Sequence, residues 1–184
     1  MNASPTTTTT TTASASNDVV ASASTDSPVG ALTIVVNKAG LRAITWADDD
    51  PRRCGLEGVE LGEAGEHPLI DATCAQLAEY FAGDRIEFDL PLAPLGTEFQ
   101  HAAWEALRQI PYGTTTTYGG QARGMGDVNK ARAVGAANGK NPLSIVVPCH
   151  RVVGADGSLT GFAGGVDTKA WLLDHERAVL SRAS

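Results

Sequence analysis

Cys149, His150 and Arg151 follow the apolar run Ile145-Val146-Val147-Pro148, so a thiol, an imidazole and a guanidinium arrive together at one short turn. A thiolate is an excellent nucleophile, and a neighbouring cation or base is what brings a thiol pKa down toward neutrality. The pattern predicts an activated sulfur at the end of a buried strand over 143–148. Polar groups that follow a buried strand without a break need partners. The same half of the chain offers Glu176 as a carboxylate, Asn141 as an amide and Tyr118 as a phenol. Each has an ordinary alternative: Glu176 as a solvated helix residue, Asn141 as a turn residue before Pro142, Tyr118 as a core aromatic and Cys149 as a packing cysteine. Spacing alone leaves those alternatives open.

The bulk of the chain narrows the setting. Residues 1–29 are rich in Thr, Ser and Ala with seven consecutive threonines, no aromatic residue and no hydrophobic period, which predicts a disordered tail. No basic-then-apolar leader and no membrane-length apolar stretch is present. Cys54, Cys74 and Cys149 form no CxxC pair, and the four histidines do not fall at metal-ligand spacing with them, so the expectation is free thiols and no zinc site. The net charge of −7 is uneven: residues 1–30 carry −2, residues 31–100 carry −8 and residues 101–184 carry +3. The half that holds Cys149 is therefore the positive one, which permits a polyanionic partner there.

These residues need a scaffold. Residues 31–36 and 41–46 read as a hairpin around Asn37-Lys38-Ala39-Gly40. Residues 47–66 read as loop with a short strand near 59–61, residues 69–82 as an amphipathic helix, and 86–90 as an alternating strand. Residues 30–92 thus form a small α/β domain. Pro91, Pro94 and Gly96 mark a linker. Thr97-Glu98-Phe99-Gln100 matches a capping box that opens a helix ended by Pro111-Tyr112-Gly113. Thr117 and Asp127 each stand where they cap a short helix, about 118–124 and 128–138, in a helix-turn-helix pattern that two packed helices without a ligand would also produce. A Gly-rich loop over 154–165 precedes a last helix opened by Asp167.

Pro148-Cys149-His150-Arg151-Val152 is similar to the active-site signature of the O6-alkylguanine-DNA alkyltransferases. Ile110-Pro111-Tyr112-Gly113, Tyr118, Ala131-Arg132-Ala133-Val134-Gly135, Asn138-Gly139, Asn141-Pro142, Gly161-Phe162-Ala163-Gly164-Gly165, Lys169 and Trp171-Leu172-Leu173-Asp174-His175-Glu176 follow the family's order and separations. The resemblance implies an α/β ribonuclease-like N-terminal domain over 30–92, and a mainly α C-terminal domain with a helix-turn-helix over 97–180. It implies direct-reversal DNA repair: Cys149 takes the alkyl group from O6-alkylguanine, and by extension O4-alkylthymine, and inactivates itself. His150 would act as base through a water, Glu176 would orient it, Asn141 would brace the turn, and Tyr118 would donate to the leaving base. Val152, Phe162, Ala163, Gly164 and Lys169 would form the substrate site. Arg132, Ala131, Gly135 and Thr117 would contact double-stranded DNA through the minor groove, with Arg132 filling the stack vacated by a flipped base. No cofactor, metal or membrane is implied, and the protein would be a monomer in the cytoplasm (or the nucleus of a eukaryotic host).

Phe162 and Ala163 stand where some members carry hydroxyls, which implies a more permissive loop. Rival readings are a silent relative that only senses alkylated DNA, a Cys149–His150 hydrolase, and a fused transcription regulator. The first lacks the reactive cysteine that this chain has. The second needs adjacent side chains that point opposite ways on extended chain. The third needs a second DNA-binding or metal-binding domain.

Overall fold

The structure, a computed structural model, describes residues 19–59, 61 and 67–183. Three antiparallel strands, β1 (Val19–Thr25), β2 (Leu32–Asn37) and β3 (Gly40–Trp46), form a sheet in the order β1-β2-β3. The β2–β3 turn is tied by Asn37 Oδ1, which accepts from Ala39 N at 2.8 Å and Gly40 N at 2.9 Å. A 3-10 turn (Pro51–Cys54) leads to α1 (Pro68–Ala82), which opens on proline and stops at Gly83 in the left-handed region. The α1 helix buries Ile70, Leu77 and Tyr80 against the sheet.

Every residue of β3 is buried, although β3 is an edge strand. An open edge is a pairing hazard, and here two segments from further along the chain cover it. Leu41 N donates to Pro91 O at 2.7 Å, and Ala93 N donates back to Leu41 O at 2.8 Å. Ile44 N donates to Pro142 O at 2.8 Å, beside a bridge to Leu143. Gly40 makes the first junction possible: a Cβ there would stand 2.3 Å from the Pro91 carbonyl oxygen.

The remaining elements are α2 (Glu98–Arg108), β4 (Thr116–Thr117), α3 (Tyr118–Gly124), α4 (Ala131–Gly139), β5 (Val152–Val153) and α5 (Val166–Ala183). The expected capping box opens α2: Thr97 Oγ1 accepts from Gln100 N, and Gln100 Oε1 accepts from Thr97 N. Short parallel strands β4 and β5 join the start of α3 to the reactive turn. Leu32, Ile34, Ile44, Leu77, Tyr80, Leu107, Leu143, Val152 and Leu172 belong to one buried cluster, so both halves of the chain share a core. Each such aliphatic side chain contributes about 1.5–3 kcal/mol by leaving water. Among the described residues no helix is long and apolar enough to cross a membrane.

Four expectations need correction. Residues 19–25 are a strand, not tail: they pair with β2 from Val19↔Asn37 to Thr25↔Leu32, and that pairing supplies what their small side chains cannot. The stretch 143–148 is no strand. It is a compact turn in which Val146 N donates to Ser144 O at 2.9 Å and Val147 N donates to Leu143 O at 2.8 Å. It is apolar because it is buried from all sides, and a short apolar run has no period to distinguish it from a strand. Residues 86–90 form no strand: the chain bends at 86 and 87, and the segment is held by Gln76, whose Nε2 donates to Asp89 O at 2.8 Å and whose Oε1 accepts from Asp89 N at 2.9 Å. No strand forms at 59 or 61, and Glu60 lies outside the described residues.

Candidate active site

Cys149–Arg151 form a single 3-10 turn after Pro148. Helical turning matters here: it releases adjacent side chains from the strict alternation of a strand. Asn141 braces this turn from below. Its Nδ2 donates to Val147 O at 2.8 Å and to Cys149 Sγ at 3.2 Å, while its Oδ1 accepts from Leu143 N at 3.0 Å. Ile145 sits in this braced loop with φ of 72°, the only non-glycine residue in the left-handed region among those described. A β-branched side chain there costs on the order of 1–3 kcal/mol and needs surrounding structure to hold it.

Glu176, fully buried on α5, gathers the donors around it. Its Oε1 lies 2.9 Å from His150 Nε2 and accepts from Arg151 Nη2 at 2.9 Å and Tyr80 Oη at 2.9 Å. Its Oε2 accepts from Arg151 Nε at 3.0 Å and Gly113 N at 2.8 Å. Burial alone would push this carboxyl up, but the hydrogen bonds and charges of His150 and Arg151 together outweigh it and hold the pKa at about 2. Glu176 is therefore an anion that can only accept, which assigns the Nε2 proton to His150 and leaves Nδ1 as a bare acceptor. His150 Nδ1 is buried and has no partner among the described residues. A buried acceptor with no partner is the place for a bridging water.

Electrostatics correct the expectation of a lowered thiol pKa. Cys149 is 8% exposed, and burial pushes its thiol up, against the Asn141 donor and the charges of Arg53 and Lys169. Burial likewise pushes His150 down, opposed by Glu176. At rest the pair is thiol and neutral imidazole. The sulfur is poised to lose its proton during reaction and does not wait as a thiolate.

The rest of the predicted site clusters around Thr160. Buried Lys169 donates from Nζ to Val152 O at 2.6 Å and Thr160 O at 2.8 Å, and Tyr118 Oη donates to the same Thr160 carbonyl at 3.1 Å. Burial raises the Tyr118 pKa, so its phenol stays a donor. Phe162 meets the His150 ring edge-on at 6.3 Å and Trp46 at 5.6 Å, while Ala163 is exposed. A Cβ on Gly164 would stand 2.7 Å from the Trp46 indole, so this glycine lets the loop lie flat on the N-terminal domain. Two cavities, of about 600 and 580 Å³, lie behind Arg151 and beside Thr114–Thr116, and Cys149 lines neither.

Thr117 caps α3 through Gly120 N at 3.0 Å, which gives it a structural task at the mouth of the helix-turn-helix. Helix α4 is locked from behind: Asn138 and Gln121 exchange amide hydrogen bonds at 2.7 and 3.2 Å, and Trp104 Nε1 donates to Ala137 O at 2.9 Å. That leaves Arg132, Ala133 and Ala136 exposed on the outer face, with Ala131 half-buried. Gly135 packs over the Tyr118 ring, where an added Cβ would be 3.6 Å away. The outer helix thus touches the phenol of the site through one residue.

Sequence reasoning missed three contributors. Arg53, paired with Asp49, donates to the Asn141 carbonyl. Trp46 Nε1 donates to Ser144 Oγ at 3.1 Å. Tyr80 reaches Glu176. All three come from the N-terminal half, and no local spacing announces contacts across some ninety residues.

Fold and site define a class: a thiol beside a hydrogen-bonded imidazole–carboxylate pair, carried next to a helix-turn-helix. Residues 98–178 match the 6-O-methylguanine DNA methyltransferase DNA binding domain, and residues 20–94 match that family's ribonuclease-like domain. The methylated-DNA–protein-cysteine methyltransferase of Methanosarcina acetivorans is 42% identical over 153 residues, 82% of this chain and 94% of that protein. The protein of the same name from Salmonella typhimurium is 46% identical over 161 residues, 84% of this chain and 94% of its own length. The Mycobacterium tuberculosis OGT solved in complex with DNA superposes with a TM-score of 0.77 at 40% identity, covering 87% of this chain and 94% of that one. The chain belongs to the 6-O-methylguanine DNA methyltransferase family.

Proposed function

We propose that this protein repairs alkylated DNA by moving the alkyl group of O6-alkylguanine onto Cys149, once per molecule. The observation that carries the reading is the resting pair: a nearly buried thiol held by Asn141, beside an imidazole with one nitrogen on Glu176 and the other bare. A water on Nδ1 takes the thiol proton as sulfur attacks the alkyl carbon. The C–S bond forms, the C–O6 bond breaks, and guanine leaves as its 6-oxo form after taking up a proton. The resulting thioether is not reversed by ordinary thiol chemistry, so each molecule acts once.

Each site residue has a task in this scheme. Glu176 stabilises the imidazolium that forms, in the manner of an acid–base relay. Tyr118 turns its hydroxyl from Thr160 to the leaving base. Val152 O keeps a lone pair free for the guanine amino group while it accepts from Lys169, and the Ala163 amide faces the guanine oxygen. The exposed face of α4 enters the minor groove, whose degenerate pattern suits a protein that must work at any sequence. Arg132 takes the place of the extruded base. Residues 97–180 carry transfer and DNA contact on a monomer, and the N-terminal domain, which includes β1, braces them.

The test is intact-mass spectrometry after incubation with a methylated duplex. The expected result is a gain of about 14 Da, one CH₂, confined to the Cys149 peptide. Cys149→Ala is expected to bind the duplex and gain nothing. Transfer by that variant overturns the reading.

A further inference from the structure

The relay has one participant from outside the C-terminal half. Tyr80 is fully buried on α1, and its hydroxyl donates to Glu176 Oε1, the same oxygen that His150 Nε2 contacts. A ring-only role would leave this hydroxyl unnecessary: the Tyr80 ring already packs on Phe81, Phe88, Tyr112 and His175. Burying a phenol oxygen is costly without a partner, and the partner here is the carboxylate that orients the base.

We propose that Tyr80 is a positioning residue that tunes His150 through Glu176, and so sets the pH at which alkyl transfer begins. The inference rests on the relay described under Proposed function and deepens it. Oε1 divides its electron density among Tyr80 Oη, His150 Nε2, Arg151 Nη2 and, at 3.2 Å, Arg151 Nε. Each other donor on that oxygen weakens its hold on an imidazolium. Removing the Tyr80 hydroxyl returns density to the His150 contact, stabilises the protonated ring and raises its basicity. No buried donor is orphaned, because the hydroxyl leaves and Oε1 keeps its other partners.

The charged and titratable groups around this pair are defined. Glu176 faces Tyr80 from α1, His150 and Arg151 from the reactive turn, and Tyr112 from the segment after α2. His150 faces Glu176 and Lys169 from α5 and Arg151 beside it. Tyr80 also faces Tyr112, Arg151 and the His175 ring. Among the described residues, Tyr80 alone couples the N-terminal half to the shared oxygen by a neutral, removable donor.

The experiment measures the rate of transfer from free O6-benzylguanine against pH, so that DNA affinity does not enter. Two variants move Tyr80 in opposite directions: Tyr80→Phe, and incorporation of 3-fluorotyrosine, a stronger donor, at position 80. The acid-side limb, where His150 loses its proton, is expected to move up by roughly half a pH unit in Tyr80→Phe and down in the fluorinated protein. A purely structural tyrosine changes the height of the profile and leaves the limb in place. Limbs that coincide in all three proteins overturn the role of Tyr80 and leave the transfer reaction intact. Absence of transfer by the parent protein overturns the functional reading, and this inference with it.

Discussion

Asn141→Asp isolates the support that the sulfur receives. The substitution keeps the shape and keeps Oδ1 as acceptor for Leu143 N, but it replaces the Nδ2 donor that lies 3.2 Å from Cys149 Sγ and 2.8 Å from Val147 O. At that separation a carboxylate and a thiolate repel by about 5 kcal/mol at an effective dielectric of roughly 20. The figure is an upper bound, because the new carboxyl can escape by holding a proton on the Val147 carbonyl. In stability, losing the Val147 bond costs about 1–3 kcal/mol. In rate, five kcal/mol would be about three to four decades, so a loss of at least a hundredfold is expected at about pH 8, deepening as the carboxyl ionises. The assay is single-turnover transfer from free O6-benzylguanine, followed by intact mass, with thermal unfolding as a control for the fold. A folded Asn141→Asp protein that reacts within threefold of its parent at that pH would refute the claim that this amide supports the forming thiolate.

Three further outcomes follow from the same contacts. Acid should destabilise the protein in two stages: the depressed His150 pKa makes stability fall below about 6.5, and Glu176, held at about 2 against 4.5 unfolded, makes it fall further between those values. In both cases the unfolded chain binds the extra proton, so the sign is the same, with roughly 3 kcal/mol at stake for Glu176; urea titrations across the pH range will read it. Arg132→Ala should slow repair of a methylated duplex at least tenfold and leave reaction with the free base unchanged, since the side chain is exposed on α4 and touches none of the thiol's partners. Gly40→Ala should cost more than about 2 kcal/mol in chemical denaturation, because its Cβ would collide with backbone, not with a movable side chain.

Local signals carried much of the fold. The capping box at Thr97 and Gln100, the period of α1 and the Asn37–Gly40 turn all act within a few residues, and each formed where the sequence placed it. What failed was tertiary. Strand β1 owes its existence to β2, so composition alone called it tail. The 143–147 turn is apolar because β3 covers it, and burial on all sides erases the alternation that separates turn from strand. At the site, sequence chemistry gathered Cys149, His150, Asn141 and Glu176, and the structure brings them together. It misjudged the direction of the thiol because adjacent cations are visible in a sequence and desolvation is not. Tyr80 was hidden for the opposite reason: its helical spacing already explained it as core.

The edge of β3, where Ile44 docks on the Pro142 carbonyl, joins with the shared core to make the two halves of this molecule a single thermodynamic body. Calorimetry should therefore show one heat-absorption peak, and a C-terminal fragment would carry a raw seam at Pro142 where Ile44 had docked. Chimeras between relatives are constrained in the same way: swapping one half without its matching strand edge places foreign backbone directly under the asparagine that steadies the sulfur. Mutations remote from DNA can in this manner alter how fast a lesion is cleared.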